Sequence, residues 1–163
     1  MILAIVQARM RSTRLPGKVL KELNGKRLIE ILIHRLSRSK KIDKIILATS
    51  LGLENDSLAE MVEELGFEVF RGCEDDVLDR YYYAAREYKY ETVVRITGDC
   101  PIIDPQLVDK VIGLYQKNNV DYVSNTEPPT FPDGLDTEVF SFEALEMAHR
   151  HAEKPFEREH VTL

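Results

Sequence analysis

The sequence predicts an α/β fold, a mostly parallel sheet with helices on both faces. Three observations predict it. Short apolar runs bounded by turn residues alternate with stretches whose apolar residues recur at helical spacing. The first run, Ile2 to Gln7, opens straight into a polar loop carrying Arg9, Arg11, Arg14 and Lys18. Open α/β sheets present their ligands in this way, at the carboxyl ends of the strands. A later run, Thr92 to Thr97, ends in Gly98-Asp99, which places a carboxylate at the same edge.

The elements follow in order. After the Asn24-Gly25 turn, Leu28, Ile29, Leu32, Ile33 and Leu36 mark a helix. Lys44 to Thr49 reads as a short buried strand. Leu58, Met61, Val62 and Leu65 form a second helical stripe, stopped by Gly66 at the C′ position. Phe67 to Phe70 is a third strand. Val77, Leu78, Tyr81, Ala85 and Tyr88 make the next helix, with Asp75 or Asp76 as its cap and its tyrosines as core aromatics. Asp104-Pro105 gives a cap followed by proline at the first helical position, ahead of Leu107, Val108, Val111, Ile112 and Tyr115. Val120 to Val123 and Leu135 to Phe140 complete the strands, and Ser141 caps a last helix through Phe142, Leu145 and Ala148. Only residues 126–134 lack periodicity, and such loops often carry specificity.

Composition narrows the function. A chain of 163 residues is one domain with room for a real core. At 44% apolar and 31% charged residues it is an ordinary globular protein rather than a disordered one. No apolar run is long enough to span a membrane, and Met1 leads directly into a core strand, so neither membrane nor signal peptide is expected. Cys73 and Cys100 are far apart and form no C-x-x-C pair, which fits structural thiols in a reducing cytoplasm. Residues 1–50 hold 12 Lys/Arg against 3 Asp/Glu, and residues 51–163 hold 10 against 25. A net charge of −6 does not suit a nucleic-acid binder, whose footprint is a domain-wide basic face. The division does suit a site with one wall for phosphates and another for a divalent metal. Lys40, Lys41 and Lys44 are read as solvent-facing.

Four cations on one short loop repel each other, and a triphosphate explains them, since arginine forks and lysine point charges are the usual phosphate holders. A solvated basic loop is the competing reading. The loop is neither a Walker A motif, since Val19 stands where Ser or Thr should hold magnesium, nor a G-x-G-x-x-G dinucleotide turn. Asp99, after Gly98, is either a turn cap or a ligand for Mg²⁺, which takes one or two carboxylates plus substrate phosphates. The cationic loop on the same edge favours the metal.

These residues resemble a family. The segment Val6-Gln-Ala-Arg-Met-Arg-Ser-Thr-Arg-Leu-Pro-Gly-Lys18, with Gly98-Asp99-Cys-Pro101, is similar to the acylneuraminate and deoxy-manno-octulosonate cytidylyltransferases. The block from Arg71 to Arg80, the run from Arg95 to Pro105 and the Phe-Pro-Asp-Gly-Leu-Asp segment ending at Asp136 resemble their relatives in spore-coat polysaccharide biosynthesis. The resemblance implies a Rossmann-like nucleotide-diphospho-sugar transferase fold in a single nucleotidyltransferase-like domain over 1–163. It implies transfer of CMP from CTP to a sugar or sugar acid with Mg²⁺ as cofactor, and it allows a homodimer.

By position, Arg14, Lys18 and Asp99 would be catalytic, with Asp99 on the metal. Gln7, Ala8, Arg9, Ser12, Thr49, Arg71, Asp76, Arg80 and Thr97 would line the nucleotide pocket, and Asn125, Asp133 and Asp136 would face the sugar. Two departures point to a different substrate: Gln7 replaces a common proline, and Cys100 follows Asp99 where Glu is common. Family members continue beyond the equivalent of Leu163 with a second metal-binding Asp. The expectation is therefore a chain that lacks this segment, binds nucleotide and turns it over poorly. Asp104, Asp133 and Asp136 are the other carboxylates considered. His160 is the histidine nearest the site segments, though read as a surface residue; His34, His149 and His151 are given no role. A sugar-nucleotide-dependent glycosyltransferase and a non-catalytic nucleotide-binding module are the alternatives, the former disfavoured because Asp99-Cys100-Pro101 is not a D-x-D motif.

Overall fold

A computed structural model describes residues 1–12 and 15–162. Its main sheet is built on strand β1 (Ile2–Gln7), whose residues face alternately into two cores. Ile2, Ala4 and Val6 point to one side, Leu3 and Ile5 to the other. A strand apolar on both faces must be covered on both. On the first side lie α1 (Leu28–Leu36), α2 (Asp56–Glu64) and α4 (Pro105–Lys117); on the second lie α3 (Val77–Tyr88) and α5 (Phe142–His151).

A hairpin of β2 (Glu22–Leu23) and β3 (Lys26–Arg27) stands apart from the main sheet. Asn24 and Gly25 at its tip both have positive φ, 53° and 76°, as a two-residue turn matched to strand twist requires. The sequence marked the turn but not the strands. The main sheet adds β4 (Lys44–Ser50), β5 (Glu68–Gly72), β6 (Thr92–Thr97), β7 (Tyr122–Ser124) and β8 (Glu138–Ser141), in the order β5-β4-β1-β6-β8-β7. β1, β4, β5 and β6 pair in parallel; β8 runs antiparallel to β6 and to β7. The mostly parallel α/β sheet is as predicted.

The run Thr92 to Thr97 matches its expected bounds as β6. The last two are displaced: Val120 lies before β7, and residues 135–137 precede β8 as loop. Asp76, not Asp75, caps α3 by accepting from Asp79 N–H, Asp104 caps α4, and Ser141 caps α5. A short helix α6 (Pro155–His160) was not foreseen from apolar periodicity, because it has no fully buried residue. It is held by charge instead: Arg158 Nε donates to the cap residue Asp76 at 2.7 Å and Nη1 to His149 O at 2.8 Å. Among the described residues no helix is long and apolar enough to cross a membrane.

The topology fixes where a ligand can sit. The chain steps from β1 outward through β4 to β5, then returns to place β6 on the other flank of β1. The carboxyl ends of β1 and β6 therefore form a switch point, where doubly wound sheets open a crevice. Gly98 lets the two tips approach. Its N–H donates to Gln7 O at 2.7 Å. A Cβ there would lie 2.6 Å from Ala8 Cβ and 2.8 Å from Gln7 O. Beneath the crevice a nearly buried ion pair joins β6 to β8. Arg95 meets Glu138, and the other Glu138 oxygen accepts from Tyr122 O–H at 3.0 Å and from the Thr162 hydroxyl.

Two stability outcomes follow from this geometry. Gly98→Ala must push β1 and β6 apart, and urea denaturation should show a loss of about 1–3 kcal/mol, the usual cost of overpacking. Glu138→Ala strands the Arg95 guanidinium without its partner, and the same measurement should show about 3–5 kcal/mol lost. Wild-type stability in either variant would contradict the corresponding contact.

Candidate active site

A cleft of about 340 Å³ opens at the switch point. The tip of β1 supplies Gln7 and Ala8, and the loop after it supplies Arg9, Arg11 and Ser12. Lys18 and Val19, in a single 3-10 turn at Lys18–Leu20, form the floor beside them. β6 and its turn contribute Arg95, Thr97, Gly98 and Asp99. Val77 at the start of α3, and Glu159 and His160 from α6, close the remaining side.

The described cations of the loop already have carboxylate partners. Lys18 Nζ lies 2.7 Å from Asp99 Oδ2. Arg11 Nε is 3.1 Å from Glu54, and its Nη1 is 3.5 Å from Glu74. Arg9 Nη1 donates to Glu74 O at 3.2 Å, with the Glu74 carboxylate at 4.0 Å. Glu54 and Glu74 answer part of the charge problem that the sequence left to a ligand or to solvent. Solvent-exposed pairs of this kind are worth about 0–1 kcal/mol, so a polyanion can displace them. Burial raises the Asp99 pKa, but the Lys18 hydrogen bond and charge, with Thr97 and a backbone N–H, outweigh it and leave the group below its ordinary value. Asp99 is therefore a carboxylate at neutral pH.

The cleft brings together Gln7, Ala8, Arg9, Ser12, Lys18, Thr97 and Asp99 of the residues singled out in the sequence. Arg14 lies outside the described residues. The others sit behind or beside the cleft wall. Arg71 donates to Ser50 O and Gly52 O at 3.2 and 2.9 Å and pairs with Asp56 at 2.7 Å, bracing the turn after β4. Asp76 caps α3 and holds Arg158. Arg80 is buried and donates to Cys73 O at 2.7 Å. Thr49 is buried, and its hydroxyl has no partner among the described residues.

Asn125 spans the neck of the 126–134 loop. It donates to Leu135 O at 2.9 Å and accepts Thr137 N–H at 2.8 Å. Asp136 has its pKa raised by burial and by the charges of Asp133, Glu138 and Asp99. Asp133 and Asp136 do not line the cleft itself. Among the described residues no three His, Cys, Asp or Glu side chains are gathered as a ready metal cage.

The sequence reading missed Arg95, Glu159, Glu54, Glu74 and Asn55; His160, read as a surface residue near the site segments, is exposed and lines the cleft. For Arg95 there was a signal, a lone charge inside the apolar run Val93-Val94-Arg95-Ile96. For the others there was none, because their partners lie on distant segments.

Comparison with known proteins gives this cleft a family. The profile of the cytidylyltransferase family matches residues 3–163. An uncharacterized protein of Methanocaldococcus jannaschii is 47% identical over 161 residues, covering 99% of this chain and 65% of its own length. The spore coat polysaccharide biosynthesis protein SpsF of Bacillus subtilis is 40% identical, covering 99% of this chain and 68% of its own. Among solved structures, a cytidylyltransferase from Leptospira borgpetersenii superimposes with a TM-score of 0.95 at 34% identity, covering 98% of this chain and 68% of that one. The chain thus spans about two thirds of the length of these relatives. With a family profile matching from the third residue to the last, this chain belongs to the cytidylyltransferase family.

Proposed function

We propose that this chain binds CTP with Mg²⁺ in the switch-point cleft and passes CMP to a hydroxyl of a sugar or sugar acid, releasing pyrophosphate. The observation that carries the reading is the Lys18–Asp99 pair at 2.7 Å. A phosphate-type cation and a metal-type carboxylate hold each other across the cleft. With a magnesium–triphosphate bound, Lys18 would turn to phosphate oxygens and Asp99 would hold the ion, so that two pairs would stand where one stood. Neither exchange leaves a charge unpaired, so metal and nucleotide favour each other's binding.

Asp99 suits Mg²⁺ by its chemistry. It is an ionised oxygen donor at a strand end, and its Oδ1 is not engaged by Lys18. One such carboxylate with phosphates and waters satisfies the ion. Bound there, Mg²⁺ would neutralise phosphate charge as pyrophosphate leaves. Arg9 and Lys18 hold the triphosphate, and Arg14 is assigned the same part from the sequence. The acceptor oxygen attacks the α-phosphorus in line, and the bond from the α-phosphorus to the bridging oxygen breaks. Its electron pair leaves with pyrophosphate. The hydroxyl proton passes to water or to Glu159 or His160, which face the cleft. The residues' main contributions are position and charge neutralisation. Arg95, Thr97 and Gln7 form the polar wall beside Asp99 against which a hydroxylated acceptor lies, and Asn125, Asp133 and Asp136 are assigned to the acceptor from the sequence. The name of the Bacillus relative supports surface-polysaccharide synthesis as the setting.

Isothermal titration tests the reading. Wild-type chain should bind CTP more tightly with Mg²⁺ than without. Lys18→Ala should lose about 1.5–3 kcal/mol of CTP affinity, the size of a hydrogen bond to a charged group. Asp99→Asn should bind CTP equally with and without the metal. CTP affinity unchanged in Lys18→Ala, or full metal dependence retained in Asp99→Asn, would refute the corresponding role. Pyrophosphate release from CTP in the presence of 3-deoxy-manno-octulosonate or N-acetylneuraminate reports on the acceptor.

A further inference from the structure

Asn55 occupies the N-cap position of α2, yet its side chain makes no cap hydrogen bond. A side-chain cap needs extended backbone, and Asn55 sits at φ −92°, ψ −1°, in the right-handed helical region, so its amide is free to serve other partners. The side chain is fully buried and engaged elsewhere. Its Oδ1 accepts the backbone N–H of Met10 at 2.8 Å, across 45 residues of sequence. Its Nδ2 donates to Ser50 Oγ at 2.8 Å and to Gly52 O at 3.2 Å. The amide is thus fixed from one side by the end of β4 and holds the cationic loop with the other.

Met10 is where that hold counts. It stands between Arg9 and Arg11, and its carbonyl accepts from Gly17 N–H at 2.8 Å, closing the loop just before Lys18. One residue therefore joins both ends of the loop, and Asn55 ties that residue to the sheet. The turn carrying Asn55 is itself braced by Arg71 through Ser50 O and Gly52 O. Its neighbour Glu54 meets Arg11.

We propose that Asn55 is a positioning residue for phosphate binding: it fixes Met10 so that Arg9 and Arg11 are aimed before the nucleotide arrives. The role rests on the phosphate reading of the cleft given above. Pre-ordering a loop lowers the entropy that a ligand must remove, and it raises affinity without adding a contact. Arg71 gains a place in the same chain of contacts, acting on the loop through Asn55 rather than on the ligand.

Asn55→Ser separates this role from a structural one. Serine keeps a small polar side chain at the start of α2, but that side chain is too short to reach Met10. The variant should stay folded with a melting temperature lowered by a few degrees, since the Met10 N–H and the Ser50 hydroxyl lose their partner. Affinity for CTP with Mg²⁺, and for inorganic tripolyphosphate, should fall by about tenfold or more, as misplacement of a binding group does. A folded Asn55→Ser chain that binds both as tightly as wild type overturns the proposal. Wild-type chain that binds neither ligand refutes the phosphate reading and this role with it. Amide hydrogen exchange on the wild-type chain gives a check independent of any variant. The Met10 amide should be strongly protected without ligand, and exchange at the rate of an open loop overturns the proposal.

Discussion

The close approach of two strand tips is the constraint on which the site depends. Gly98 N–H meets Gln7 O at 2.7 Å with no Cβ between the strands. That contact places the turn after β6 against the loop after β1. It is why Lys18 and Asp99, separated by 81 residues, come within a hydrogen bond of each other. A side chain at position 98 would wedge the tips apart and separate the cation from the carboxylate. The cleft exists because the sheet reverses its order there, and its chemistry exists because the two tips touch.

Charge organises what the tips bring together. The basic first third of the chain and its acidic remainder meet in this cleft, and they meet as pairs: Lys18 with Asp99, Arg11 with Glu54 and Glu74, Arg9 with Glu74. Such pairs keep the cations ordered without holding them strongly, since exposed ion pairs contribute little. The buried Arg95–Glu138 pair is of another kind. It is desolvated, with one Glu138 oxygen shared by Tyr122 and Thr162, and it fixes the antiparallel β8 beside the parallel sheet. The weak pairs suit exchange with a ligand; the buried one suits permanence.

Several polar residues that the sequence placed at the site are engaged with the protein's own backbone and side chains. Arg71 braces the turn after β4, Asp76 caps α3 and anchors α6, and Asn125 ties the neck of a long loop. Each satisfies backbone or side-chain groups that burial would otherwise leave unpaired, which costs about 1–3 kcal/mol apiece. A binding site needs rigid walls as much as it needs contacts, and these residues supply them.

The sequence by itself determined the α/β class, the parallel core strands, the caps at Asp104 and Ser141, and the cationic loop facing a Gly-Asp turn. All are local: apolar period, turn chemistry and capping act within a few residues. Between Asp75 and Asp76 the local code could not choose, since either can precede the helical stripe. Tertiary structure alone decided the direction of β8, because a short buried strand reads the same parallel or antiparallel. It also decided that Glu159 and His160 of α6 reach the cleft, and that Asn55 leaves its own helix to hold Met10. Those contacts join segments tens of residues apart, and only the packed sheet sets such distances.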